Sequence, residues 1–455
     1  MFSIIVACDK YSGIGSKGSI PWSSPEDMKY FKNKTNNAVV IMGRNTYNSI
    51  VKKLGKPLPN RTTLLISTQL TQCDIAFDNV LVFDKIEKAV VWCCDKQNLP
   101  LTHNNVYVCG GESIYNWFID NKLISYEYIT KFEFNHACDK YYKEIKQQKN
   151  CIRTHQITDG IICENVVVNA EENAMLNIMN ELFFRANEKS SRAGPVYSLF
   201  GRQLKFDLTN NKFPLMTTRR MFLRGIFEEL MLYIRGQTDS QILEKKGIPV
   251  WTGNTSREFL DKHGLQWLSV GDMGHSYGHS FRHFGAQYNG KETDYTGEGF
   301  DQLEYVIKTL KNNPDSRRMI ISLWEPNHMR NTALPPCLYQ YQFYVADKKL
   351  SCMMTQRSSD FAVAGGWNVA TGALLTIMLA HVTRLSPGEL TWNIGDVHLY
   401  HNHLSGVSTQ INREPRIYPS LYLQDPPDNI EDFSYENLQL VNYLPYKKIK
   451  YEMNV

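Results

Sequence analysis

Residues 38–46, Ala38-Val39-Val40-Ile41-Met42-Gly43-Arg44-Asn45-Thr46, run from an uninterrupted apolar segment straight into glycine and arginine. Five consecutive apolar residues predict a strand buried on both faces, the pattern of a parallel sheet covered by helices. The Gly-Arg step predicts a helix start, where free amides, the helix dipole and a guanidinium converge on an anion. The arrangement recurs on either side. Ser3 to Cys8 is another apolar run, Thr63 to Ser67 is a strand ending in Ser67-Thr68, and Val106-Tyr107-Val108-Cys109 leads into Gly110-Gly111-Glu112-Ser113. A Gly-Gly pair between strand and helix lets a phosphate approach the backbone. Three such strand ends predict a dinucleotide lying across the carboxyl edge of an α/β sheet. The spacing is not G-x-G-x-x-G, which implies a different fold from the usual dinucleotide-binding one.

Between the first two strands, Ser24-Pro25-Glu26-Asp27 opens a helix, with proline in the first turn and acids where the dipole favours them. Asp27 and Phe31 are four apart and share a face, so a pocket bordering that face meets a carboxylate beside a ring. Asp27 also reads simply as a helix-start acid. Further on, Cys151 to Val168 predicts a hairpin turning at Asp159-Gly160. Helical periodicity then begins at once, with Met175, Ile178, Met179, Leu182 and Phe183 on one stripe that reads as core. The expected organisation is a first domain over 1–169, a junction over 170–173 and a second domain over 174–455. So short a join predicts little freedom between them.

In the second half, Ala333-Leu334-Pro335-Pro336-Cys337-Leu338 places a cysteine after two prolines that fix φ and remove two backbone donors. Gln356-Arg357-Ser358-Ser359-Asp360 offers a guanidinium and a hydroxyl suited to a phosphate. Nearby guanidinium charge favours a thiolate, the reactive form of cysteine. Local sequence leaves two readings of Cys337 open, nucleophile or buried structural thiol. Glu229, among Ile226, Phe227 and Leu230, is either a solvated helix residue or a desolvated functional carboxylate. Arg317 and Arg318 precede an apolar strand; adjacent strand residues face opposite ways, so an intersubunit role suits the pair. His275, His279 and His283 fall at i, i+4 and i+8, and His398, His401 and His403 cluster after Asp396. Gly274, Gly278 and Gly285 break up the first set as a helix, and it lacks the glutamate of H-E-x-x-H, so no metal is expected.

The 455 residues suffice for two or three domains, and a formal net charge of +4 does not argue for an obligatory nucleic-acid partner. Ten scattered cysteines with no C-x-x-C pair fit reduced thiols in a cytoplasmic compartment better than a disulfide framework. Met1 to Ala7 has no basic lead, and no apolar run approaches the ~20 residues of a membrane span, so neither signal peptide nor membrane association is expected.

These motifs carry a resemblance. Ile5-Val6-Ala7, Ile20-Pro21-Trp22, Pro25 through Phe31, Val40 through Thr46, Pro57-Leu58-Pro59-Asn60-Arg61, Gly110-Gly111 with Tyr115, and Ile129-Thr130 occur in the order found in dihydrofolate reductases. The resemblance implies an α/β domain with a mostly parallel central sheet and flanking helices, binding NADPH and reducing dihydrofolate. It implies that Asp27 holds the pteridine and assists its protonation, with Thr130 as a hydroxyl relay. Ala7, Phe31 and Leu58 would line the folate site, and Arg61 would pair with the glutamate carboxylate. Gly43, Arg44, Asn45, Thr46, Ser67, Thr68, Gly110, Gly111, Glu112 and Ser113 would hold the cofactor. Two stretches depart from the family: the loop Ser16-Lys17-Gly18-Ser19 lacks methionine, and Asp139-Lys140-Tyr141-Tyr142 is not apolar.

Residues 174–455 resemble thymidylate synthases through Asp315-Ser316-Arg317-Arg318, Ala333 through Cys337, Gln356 through Asp360, Trp367-Asn368 and Gly395 through Tyr400. The implication is an α+β domain that methylates dUMP with 5,10-methylene-tetrahydrofolate and forms an obligate homodimer. Cys337 would add to C6 of the base. Arg192, Arg357 and Ser358 would bind its phosphate with Arg317 and Arg318 of the second subunit; Asn368 would read the uracil; His398 and Tyr400 would hold the ribose. Glu229 would organise proton transfer through water, with Tyr277 a candidate at C5. Asp360 is assigned to both substrates, and Trp251, Asn254 and Val455 to the folate. Leu338 stands where histidine is expected, His275-Ser276 where Pro-Val is usual, and Gly365-Gly366 where Leu-Pro is common. A deoxycytidylate hydroxymethylase is the nearest rival, but it calls for an acid at Asn368 to accept from a 4-amino group. A non-catalytic folate- or RNA-binding scaffold is the second.

Overall fold

The computed structural model describes residues 2–94, 106–147, 149–191 and 193–453. The chain divides into two compact units: Met1–Ala170 with Pro415–Pro419 and Val441–Leu444, and the remainder.

In the first unit the strands are β1 (Phe2–Cys8), β2 (Gly13–Gly15), β3 (Val39–Gly43), β4 (Thr62–Ile66), β5 (Val80–Phe83), β6 (Val106–Val108), β7 (Ile124–Phe132), β8 (Lys140–Tyr141), β9 (Lys149–Ile157) and β10 (Gly160–Val167). The helices are α1 (Pro25–Thr35), α2 (Arg44–Leu54), α3 (Ile86–Cys94) and α4 (Glu112–Asp120). One sheet runs β5-β4-β3-β6-β1-β7-β10-β9. Its first six strands are parallel neighbours, and β10 and β9 add antiparallel. The apolar runs of β1, β3 and β6 are buried along their length because helices cover both faces. The hairpin expected at Asp159-Gly160 is β9–β10. Strand β7 lacks a continuous apolar run, and β5 is only the four apolar residues Val80–Phe83; neither is among the strands expected from the sequence.

The second unit holds α5 (Ala170–Arg185), whose first turn occupies residues 170–173 and whose stripe Met175, Ile178, Met179 and Leu182 is buried. Then follow β11 (Asn187–Ser191), β12 (Gly194–Asp207), α6 (Leu223–Ile234), α7 (Gln241–Lys245), α8 (Arg257–Lys262), α9 (Tyr277–Arg282), α10 (Gln302–Asn312), β13 (Ile320–Ser322), β14 (Leu338–Ala346), β15 (Lys349–Asp360), α11 (Gly365–Val382), β16 (Ser386–Tyr400) and α12 (Leu404–Ile411). The sheet order is β11-β12-β16-β15-β14-β13, with β15 and β16 parallel inside an otherwise antiparallel set. Helix α11 is apolar around nearly its whole circumference because it is enclosed, packing on β15, β16 and α6. Burial along β15 and β16 alternates, so one sheet face meets α11 and the other stays half-covered. That second face carries the exposed rings of Phe200 and Tyr344.

Candidate active sites

In the first unit, β1 and β7 pair with Ala7 opposite Thr130. Ser24 caps α1 by accepting from the Asp27 N–H at 3.3 Å, which fixes the first turn and aims the Asp27 carboxylate at the β1–β7 pair. Thr130 Oγ1 donates to Asp27 Oδ1 at 2.5 Å. Burial raises the Asp27 pKa, and the Thr130 bond only partly opposes it. Phe31 and Leu58 flank the apolar cluster of Ile5, Val40, Met42 and Tyr107. Arg61 is buried and donates to Lys32 O at 2.8 Å, to Pro59 O at 2.5 Å and to Thr35 Oγ1 at 3.1 Å. Among the described residues no carboxylate pairs with it, and burial lowers its pKa. A buried guanidinium held by neutral oxygens suits an incoming carboxylate.

Two helix N-termini meet at the carboxyl edge of this sheet. Gly43 caps α2 and Gly111 caps α4, neither with a side-chain hydrogen bond, and Gly43 N donates to Gly110 O at 2.8 Å. A Cβ on Gly43 would meet Ile114 Cγ1 on α4 at 3.3 Å, a tight contact that the bare glycine avoids, whereas one on Gly111 would make only ordinary contact with Thr46 Oγ1 at 3.5 Å. Arg44 donates to Gln69 Oε1. Ser67 Oγ accepts from Gln69 N and Leu70 N at 3.1 and 3.0 Å, while Thr68, Asn45 and Ser113 are exposed. Uncapped N–H groups, a nearby guanidinium and close backbones fit a pyrophosphate. Glu112 is engaged elsewhere: it accepts from Tyr141 N at 3.0 Å and pairs with Lys140 at 3.5 Å.

In the second unit, Cys337 ends the loop that enters β14. Its N–H donates to Tyr277 Oη at 3.0 Å, and Arg357 on β15 donates from Nη2 to Sγ at 3.7 Å. The same guanidinium donates to Pro335 O at 2.9 Å and Pro336 O at 3.0 Å, so the carbonyls of the Pro-Pro pair orient the cation beside the sulfur. Leu338 is a buried first residue of β14, opposite Gln356. Behind the thiol, Glu229 on α6 accepts from the indole N–H of Trp251 at 2.8 Å and of Trp367 at 2.7 Å. Burial raises its pKa against the bonds from Trp367, Trp251 and Tyr233. Tyr277 stacks on Tyr233 with centroids 4.9 Å apart, and burial followed by the Cys337 charge pushes its phenol pKa up.

Asn368, on the first turns of α11, donates to Gln356 Oε1 at 3.1 Å, an oxygen that also accepts from Trp392 Nε1 at 3.0 Å. That bond settles which end of the Asn368 amide is the donor to its neighbour. The parallel register puts Ser358 opposite Asp396 and Asp360 opposite His398. His398 Nδ1 lies 2.9 Å from Asp396 Oδ1 and packs edge-on to Tyr400. Asp360 accepts from Val363 N at 3.3 Å and lies 3.5 Å from buried His403. Burial opposes charge on His403, but Asp360 and the Glu452 carbonyl prevail and raise its pKa. Asn254 is buried in the turn after Trp251. Arg317 and Arg318 are exposed in the turn before β13, not on the strand, so strand alternation does not separate them. Arg192 and Val455 lie outside the described residues. Helix α9 spans only Tyr277–Arg282, so His275, His279 and His283 share no helix. His398, His401 and His403 turn to Asp396, Glu188 and Asp360 separately.

A profile of the Dihydrofolate reductase family matches residues 1–160, and one of the Thymidylate synthase family matches residues 173–455. The bifunctional dihydrofolate reductase-thymidylate synthase of Paramecium tetraurelia is 37% identical over 476 residues, covering 100% of this chain and 99% of that protein. The chain belongs to the bifunctional dihydrofolate reductase-thymidylate synthase family. Similar relatives of that name are 35% identical in Leishmania major, over 100% of this chain and 95% of the relative, and 36% in Arabidopsis thaliana, over 100% and 88%. The chain therefore carries dihydrofolate reductase and thymidylate synthase activities that serve dTMP synthesis. Full-length similarity to bifunctional enzymes favours this over the hydroxymethylase and scaffold readings. The two families imply NADPH and methylene-tetrahydrofolate as cofactor and cosubstrate, with folate and dUMP as substrates.

The sequence reading gave no site role to Tyr233, Trp367 or Gln356, of which the first two bond to Glu229 and the third to Asn368. Tyr233 sits one helical turn after Glu229 on α6, a spacing that could have found it. Nothing local marks Trp367 as a partner of Glu229, 138 residues away.

Proposed function

We propose that the chain couples two residue-level mechanisms, with 1–169 as the reductase domain, 170–173 as the junction and 174–455 as the synthase domain. In the reductase, Asp27 holds the pteridine ring through its 2-amino and N3 positions, and burial, which raises its pKa above the ordinary carboxylate value, favours its holding a proton. Thr130 orients that carboxyl, Ala7, Phe31 and Leu58 line the folate site, and Arg61 takes the glutamate carboxylate. The phosphates of NADPH fit the α2 and α4 N-termini, with Arg44, Thr46, Ser67 and Thr68 around them; when bound, the cofactor supplies the hydride.

In the synthase, Cys337 Sγ adds to C6 of dUMP. Arg357 and Ser358 receive the phosphate together with Arg192, and with Arg317 and Arg318 from a second subunit. The exposed, half-covered sheet face with Phe200 and Tyr344 supports such a homodimer. Asn368 reads the uracil edge, His398 and Tyr400 hold the ribose, and Trp251, Asn254, Asp360 and Val455 receive the folate. Glu229 relays protons, and Tyr277 faces the base. The dihydrofolate released is the substrate of the first domain. Among the described residues no cysteine is disulfide-bonded and no helix is long and apolar enough to cross a membrane, which supports a cytoplasmic setting.

One observation carries this reading: Tyr277 and Arg357 both converge on Cys337 from elements 60 and 20 residues away. Incubation with dUMP and methylene-tetrahydrofolate yields dTMP, and Cys337→Ala abolishes it while leaving NADPH oxidation by dihydrofolate intact. Asp27→Asn gives the converse. Undiminished dTMP formation in Cys337→Ala refutes the assignment of the nucleophile.

A further inference from the structure

Three side chains that neither active site uses converge in the second unit: His275, Glu325 and His328. They stand on two loops that the backbone presses together. Gly274 bridges to Thr332, His275 N donates to Asn331 O at 3.1 Å, and Ala333 N donates to Met273 O at 3.1 Å. The approach is so close that a Cβ on Gly274, where φ is +71°, would lie 2.4 Å from Asn331 O. One loop leads into Tyr277 and the other into Cys337.

His275 Nε2 lies 3.2 Å from Glu325 Oε2, and His328 Nε2 lies 3.5 Å from Glu325 Oε1. One donor atom from each residue falls within 4.8 Å of the other two. The imidazoles of His275 and His328 stack at 4.3 Å. Despite this crowding, His275 Nε2, Glu325 Oε2 and His328 Nδ1 are buried with no aligned hydrogen-bond partner among the described residues. Unsatisfied buried polar atoms are costly to fold; those of His275 and Glu325 face each other at 3.2 Å with the His328 ring stacked beside them, an arrangement suited to a group that accepts lone pairs. Two imidazoles and a carboxylate are ligand types that a divalent transition metal takes.

We propose that His275, Glu325 and His328 bind a divalent transition-metal ion, zinc foremost, that clasps the segment carrying Tyr277 to the loop carrying Cys337. Two nitrogens and one carboxylate form a donor set that zinc accepts, leaving a position for water. Tetrahedral zinc with bonds of about 2.0–2.1 Å holds its ligands roughly 3.3 Å apart, so the His275 and His328 rings, stacked with 12° between their planes, turn out of that stack to direct both nitrogens at the ion. The ion touches no substrate; it is a positioning element.

The test is titration of the full chain carrying Cys337→Ser with Co2+ alone, followed by Zn2+ displacement. The expected result is about one equivalent of Co2+ with visible ligand-field bands, no thiolate charge-transfer absorption, and displacement by Zn2+. E325Q and H328Q each weaken binding at least about tenfold, whereas H401A, outside the cluster, leaves it unchanged. Circular dichroism of the metal-free variants establishes that they are folded; should E325Q fail to fold, H328Q carries the test. Absence of Co2+ binding, or binding undiminished in the folded variants, overturns the proposal. Because the readout is binding and not dTMP formation, it stands or falls separately from the catalytic assignments.

Discussion

The phenolic oxygen of Tyr277 accepts the backbone N–H of Cys337 at 3.0 Å, tying the Tyr277 ring to the peptide that carries the Cys337 thiol. Tyr277→Phe removes that acceptor and leaves a half-buried N–H without it, a change that costs about 1–3 kcal/mol. The expected outcome is synthase kcat lowered roughly tenfold to a hundredfold, with the dUMP dissociation constant little changed. Steady-state kinetics beside equilibrium dUMP binding separates the two; a loss confined to binding contradicts the positioning role.

Asp27 and Thr130 determine a pH dependence. Burial raises the Asp27 pKa above its ordinary 3.8, so the folded chain keeps a proton that the unfolded chain has already lost. Its contribution to stability therefore declines as pH rises from about 3.8 through the folded value and is level above it. Asp27→Asn removes this slope. Thr130→Val deletes the donor that favours the charged form, so the corresponding limb of the reductase kcat/KM profile moves to higher pH. Movement to lower pH in Thr130→Val contradicts the hydrogen-bond assignment.

Glu229 receives two indole donors, one on each oxygen. Glu229→Gln keeps one acceptor and turns an NH2 toward the other indole N–H, where donor meets donor. The expected effects are a stability loss of about 1–3 kcal/mol by denaturant titration and a synthase rate lowered about 10²–10⁴-fold. The substitution leaves reductase activity unchanged. A Glu229→Gln chain with wild-type synthase turnover removes Glu229 from the proton relay.

Glu172, at the start of α5, is fully buried and accepts from the backbone N–H and the hydroxyl of both Thr217 and Thr218, at 2.7 to 3.0 Å. Burial nonetheless raises its pKa. Glu172→Gln sets an amide NH2 against these donors and is expected to lower stability by at least about 2 kcal/mol, read as a fall in Tm. Active-site titration of the protein that remains folded should be unchanged.

Arg61→Lys keeps the charge but loses the fork that reaches Lys32 O, Pro59 O and Thr35 Oγ1 together. The expected result is a dihydrofolate KM raised about tenfold or more with kcat largely kept, since a remote carboxylate contact is uniform binding. A fall in kcat with unchanged KM assigns Arg61 to the chemistry instead.

By itself the sequence determined the elements whose signals are local. Continuous apolar runs named β1, β3, β4 and β6, Asp159-Gly160 named the β9–β10 turn, and the ordered motifs from Asp27 to Tyr400 named both families. Residues on one turn or one strand interact through spacings of two to four, and periodicity reads those directly. Tertiary structure alone decided which polar groups are desolvated and whom they meet. Thr130 reaches Asp27 across 103 residues and Trp367 reaches Glu229 across 138. The same holds for Arg61 among carbonyls and for His275 beside Glu325. A carboxylate's pKa and a histidine's role depend on the walls around it, and those walls come from elements that only packing brings together.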